Sequence, residues 1–111
     1  MATTPIRAER RRLPNRRPCE TLSFECNGLR YTASISRYAS GELAEIFIGN
    51  SKSGSHSDTA AKDAAVICSI ALQHGVPLDT LRKALLRDPR GIASGPLGTA
   101  LDAIAKIDGE R

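Results

Sequence analysis

Residues 22–36 read LSFECNGLRYTASIS. Leu22, Phe24 and Cys26 alternate with Ser23, Glu25 and Asn27, the period of two expected of a half-buried strand. Asn27-Gly28 then supplies a tight reversal, because both residue types tolerate positive φ. Beyond the turn the alternation resumes. Leu29, Tyr31, Ala33 and Ile35 share one face, and Arg30, Thr32, Ser34 and Ser36 the other. Ser40-Gly41 makes a second turn. The run Leu43 to Ile48 is apolar on both faces apart from Glu45. A three-stranded antiparallel meander follows, its third strand more covered than the first two. On strict alternation Leu43 and Phe47 point away from Ala44, Ile46 and Ile48. With Tyr38 they would form a second apolar face that a partner covers, so a homo-oligomer is expected.

Downstream the period changes. Residues 58–74 (DTAAKDAAVICSIALQH) carry apolar side chains around most of the circumference, which predicts a central buried helix. Gly75 suits its C-terminus and Pro77 stops the chain. Leu78, Leu81 and Leu85 form the stripe of a short helix over 78–87, which Asp88-Pro89 ends. Pro96 suits the first turn of a last helix, with Leu97, Leu101 and Ile104 inward. The expected fold is α+β: the meander covered on one face by a long buried helix and two shorter ones.

The 111 residues suffice for one compact domain. With 41% hydrophobic and 4% aromatic residues and no Trp, the core must be aliphatic and Ala-rich. No apolar run approaches the roughly 20 residues of a membrane helix. Cys19, Cys26 and Cys68 are odd in number and form no C-x-x-C pair, which points to a reducing cytoplasm and to no metal site. These features exclude a membrane protein, a multidomain enzyme and a secreted disulfide scaffold.

The net charge of +4 is unevenly placed. Six arginines precede Cys19 against Glu9 alone, whereas residues 19–111 carry ten Lys and Arg against eleven Asp and Glu. Residues 1–12 are therefore expected to be a disordered arm, and 13–111 a single domain, with order starting at Leu13-Pro14. Arg10, Arg11, Arg12, Arg16 and Arg17 could contact nucleic acid or an acidic partner. No aromatics interleave with them to stack on bases.

The loop 49–58 (GNSKSGSHSD) carries the most chemical content. Asn50, Lys52, Ser53, Gly54, Ser55, His56 and Ser57 describe an anion cradle: small residues expose amides, a helix N-terminus follows, and Lys52 and His56 add charge. A nucleotide or phosphate is the ligand it would admit, and no bound cofactor is expected. The plainer alternative is a strand-to-helix loop capped by Ser57 or Asp58. His56 and His74 flank the long helix at opposite ends, and no Ser-His-acid set is defensible, so no catalytic residue is assigned.

The runs GELAEIFIGN (41–50), KSGS (52–55) and ICSIALQHGVPLDTLRKAL (67–85), with RRLPNRR (11–17) ahead of the first strand, resemble the TSCPD domain. That domain occurs at the C-terminus of adenosylcobalamin-dependent (class II) ribonucleotide reductases and in stand-alone small proteins. The resemblance spans most of residues 11–107. Where the family has Thr-Ser-Cys-Pro-Asp, this chain has Ala93-Ser94-Gly95-Pro96-Leu97. The cysteine and the aspartate are absent, so no thiol, metal or carboxylate role carries over to that turn, while the Ser-x-Pro helix start survives. The resemblance implies a module that is not catalytic alone, related to deoxyribonucleotide metabolism, with a reductase subunit as its protein partner. A nucleotide-binding protein using the loop, and a nucleic-acid binder using the arm, are the two other readings.

Overall fold

The computed structural model describes residues 9–110. Three strands, Glu20–Cys26 (β1), Leu29–Arg37 (β2) and Leu43–Asn50 (β3), form an antiparallel sheet in the order β1-β2-β3. Three helices follow: His56–Gln73 (α1), Leu78–Ala84 (α2) and Pro96–Gly109 (α3). The β1–β2 turn takes φ of 52° at Asn27 and 79° at Gly28, the left-handed pair that matches strand twist. This fixes Phe24 opposite Tyr31, and their rings stack with centroids 5.5 Å apart. Tyr31, Ala33 and Ile35 of β2 and Ile46 and Ile48 of β3 line the inner face, against Ala61, Ala65, Cys68 and Leu72 of α1 and Leu101 and Ile104 of α3.

The β2–β3 register breaks at one place. Ser36 faces Glu45 and Arg37 faces Leu43, leaving Ala44 as the extra residue of a bulge. Strict alternation therefore fails there, and Leu43 turns into the core at 7% exposure instead of pointing away from the helices. Phe47 stays on the outer face, 48% exposed.

The placement of α1 also differs from a central buried helix. It lies along the open edge of β3, and Val66, Ile67 and Ile70 are exposed. The reason is hydrogen bonding. In an antiparallel ladder alternate residues of an edge strand aim their N–H and C=O groups outward. Here Ser69 Oγ accepts from Ile46 N (2.8 Å) and donates to Ile46 O (2.9 Å), and Gln73 Nε2 donates to Ala44 O (3.1 Å). At the far end Asn50 N donates to Asp58 Oδ1 (2.9 Å). Four residues of helix rise about 6 Å and two residues of strand about 6.8 Å, so Gln73 and Ser69 keep step with Ala44 and Ile46. The small Ala61 and Ala65, essentially unexposed, let the helix approach this closely.

The helix ends follow local chemistry. After α1, Gly75 takes φ 91°, its N–H bonding Leu72 O while Val76 N–H bonds Ala71 O, the paired bonds of a Schellman stop. α2 stops at Ala84, short of the expected residue 87. The side chain of Asp88 accepts from Arg90 N and Ile92 N, folding a turn across which Arg87 bridges Ala93. Arg87 then forks onto Asp102 with two 2.8 Å bonds, and Arg82 Nε adds a third at 3.0 Å, tying α2 and the turn to α3. Pro96 opens α3 at its first position, as its fixed φ favours. Gly98 has close neighbours: a Cβ there would sit 2.9 Å from the Ala93 methyl. Gly98→Ala is expected to destabilise the domain by about 1–3 kcal/mol despite alanine's better helix propensity. A melting temperature at or above wild type would refute that crowding.

Candidate functional site

The loop after β3 is organised around Asp58, which is 1% exposed. Ser55, not Ser57 or Asp58, is the N-cap of α1, its hydroxyl accepting from Asp58 N at 3.2 Å. That leaves the Asp58 carboxylate to turn back into the loop. It accepts from Asn50 N (2.9 Å), Gly54 N (3.0 Å) and Lys62 Nζ (2.8 Å). The Lys62 bond first, then the Asn50 and Gly54 amides, pull its pKa down to about 2. Asn50 Oδ1 accepts from Lys52 N, Asn50 Nδ2 donates to Ser57 Oγ, and Ser57 shares a hydroxyl contact with Ser55. The inward donors of this loop are thus already turned on the chain's own carboxylate. Of the cradle residues, the side chains of Lys52, Ser53 and His56 remain at the surface.

The N-terminal arginines divide into two groups. Residues 1–8 of the expected arm lie outside the described residues. Within the described part of that segment, Arg10 and Arg11 contact the domain. Arg11 N donates to Gln73 O (2.8 Å), its guanidinium lies 3.6 Å from the Tyr38 ring centroid, and Tyr38 Oη donates to Arg11 O (3.3 Å). Arg10 Nε donates to Gln73 Oε1, and Arg17 Nε to the buried Glu45 carboxylate. The attachment points are groups that α1 and β3 would otherwise leave buried and unpaired, which explains why the segment is held. Arg10, Arg12 and Arg17 border a cleft of about 800 Å³ over Glu45 and Gln73. Arg12 and Arg16 are the exposed cations without a role in docking among the described residues.

The expected oligomer face is not brought together. Leu43 is in the core, and Tyr38 is 9% exposed beneath Arg11. Phe47 alone is exposed, and of its neighbours the strand pattern points to those on β2 but not to those on α1. Arg30, Thr32 and Ser34 of β2 and Lys62 and Val66 of α1 line, with Phe47, a hollow of about 650 Å³ on the outer face. Lys62 and Val66 stand one turn apart on α1, and a helix wholly inside the core would have hidden both.

The three cysteines are unpaired, and burial pushes the Cys68 thiol up to about 11, far from the thiolate a nucleophile needs at neutral pH. Among the described residues no group of three His, Cys, Asp or Glu could hold a metal ion. No helix among them is long and apolar enough to cross a membrane.

The TSCPD domain family matches residues 5–107 of this chain. Among similar proteins, the vitamin B12-dependent ribonucleotide reductase of Streptantibioticus cattleyicolor is 32% identical over 93 residues, 81% of this chain and 16% of that protein. The enzymes of the same name from Streptomyces coelicolor and Agrobacterium fabrum are 32% and 30% identical over 93 residues, which make up 10% and 7% of their lengths. The chain therefore spans well under a fifth of these relatives. No solved structure matches.

Proposed function

The chain belongs to the TSCPD domain family, and from that premise we propose that it is a non-catalytic accessory module of deoxyribonucleotide metabolism that works by docking on a ribonucleotide reductase chain. The observation that carries the reading is the match itself: 81% of this chain corresponds to a small segment, 10–16%, of much longer reductases. A segment carried within such an enzyme acts beside a much larger body. The outer hollow is the surface suited to that contact. Phe47 and Val66 provide exposed apolar area, bordered by Arg30 and Lys62, which are paired with Glu25 and Asp58. The loop 49–58 offers a weaker basis for function, since an incoming phosphate must compete with Asp58 for the same amides.

The test is sedimentation of the full chain with a vitamin B12-dependent reductase from the same organism. A complex is expected, and Phe47→Lys should weaken it by about tenfold or more, as loss of a central aromatic contact does. Failure to co-sediment at about 100 µM of each protein would remove the proposal.

A further inference from the structure

The two edges of the sheet are treated differently. The outward groups of β3 at Ala44, Ile46 and Asn50 are taken by Gln73, Ser69 and Asp58. The other edge is β1. The tight turn makes Cys26 and Leu29 a hydrogen-bonded pair, so Glu20, Leu22, Phe24 and Cys26 bond to β2, and Thr21, Ser23 and Glu25 aim their N–H and C=O groups outward. Among the described residues nothing accepts or donates to those groups, and all three residues are exposed. Soluble proteins blunt such edges with Pro, Lys, a bulge or a covering element. Glu20–Cys26 contains no Pro or Lys, and its register with β2 is unbroken.

We propose that this edge is an interface between two copies of the chain, β1 pairing antiparallel with the partner's β1 about a two-fold axis at Ser23. The strand is self-complementary in that register. Ser23 meets the partner's Ser23, and Thr21 meets the partner's Glu25, so the outward groups make roughly six backbone hydrogen bonds and no like charges face each other. On the inner face Leu22 meets the partner's Phe24 and Phe24 the partner's Leu22. Both side chains are half-buried at the margin of the core in one copy, and the pairing covers them in two. The result is a continuous six-stranded sheet whose outer edges are both closed by α1. This interface is separate from the outer hollow, and a reductase that fails to bind leaves it untouched.

The experiment is sedimentation velocity on the full chain from about 10 µM to about 1 mM, with amide hydrogen exchange read at both ends. The wild type should form a dimer, with the amides of Thr21, Ser23 and Glu25 slowing as it forms. Ser23→Lys and Ser23→Glu each place two like charges face to face and should weaken dimerisation at least about tenfold, while their equimolar mixture restores it. Ser23 is exposed, and circular dichroism checks that both variants stay folded. A monomer at every concentration, edge amides that do not slow in a wild-type dimer, or folded variants that dimerise as the wild type does would each overturn the proposal.

Discussion

Ser69→Ala should lower the stability of the domain by about 2–4 kcal/mol, a large share of what a single domain holds. Ser69 is 3% exposed, and its hydroxyl serves both polar groups of Ile46 at 2.8 and 2.9 Å. Alanine fits the space but leaves a buried N–H and a buried C=O unpaired, and each such group costs about 1–3 kcal/mol. The apolar area lost is a single oxygen's worth, so the lost hydrogen bonds decide the sign. For a domain of this length the melting temperature should fall by roughly 10 °C. Ser23→Ala is the matched control, because Ser23 is exposed on the opposite edge, and its effect on the monomer should stay within about 0.5 kcal/mol. Equal melting temperatures for the two variants would mean that the Ser69 hydroxyl does not close the β3 edge.

The contrast between those two serines marks what local sequence can convey. The Asn27-Gly28 turn, the Gly75 stop and the Pro96 start depend on residues a few positions apart, and each stands where its local chemistry puts it. The face of Leu43 depends on one inserted residue opposite β2, and alternation within β3 cannot show an insertion relative to a partner strand. The composition of α1, apolar on most sides, suggests full burial, yet the polar residues that set its position are Asp58, Ser69 and Gln73. All three lie within or beside the buried stripe. A serine and a glutamine four apart on an otherwise apolar face need partners, and an open strand edge supplies them. That signal is present in the sequence but is outweighed by the count of apolar neighbours. The docking of Arg10, Arg11 and Arg17 has no local signal, since Gln73, Tyr38 and Glu45 are brought to them only by the fold. Within the loop, residues 50–57 are legible as a set of donors next to a helix start. Which anion they face is not, because Asp58 reads as a cap and becomes the ligand only once Ser55 takes the capping position.

Asp58→Asn is expected to cost the domain more than Ser69→Ala does, and the loss should depend on pH. At pH 7 the wild-type carboxylate is ionised and holds two amides and the Lys62 ammonium. Asparagine keeps the shape but presents an NH2 group where one oxygen accepted, so a donor meets a donor and Lys62 loses its counter-charge. The melting temperature should drop by roughly 10 °C or more, exceeding that of the Ser69 variant. The sign of the pH effect follows from the lowered pKa. A carboxyl held at about 2 when folded, against an ordinary 3.8, adds stability that is complete above the ordinary value and is lost as pH falls from there towards 2. The gap in melting temperature between wild type and Asp58→Asn should therefore be constant from neutral pH to about 5 and narrow steadily between about 4 and 2. Both proteins will lose stability in that range, because Asp102, lowered by its Arg87 bond, and Asp88, lowered by the Ile92 amide, titrate in each. The difference between the two curves isolates Asp58. A gap as wide at pH 2 as at pH 7 would show that the loop is held by packing and not by the ionised carboxylate, and the amides of Asn50 and Gly54 would then be open to an outside anion after all.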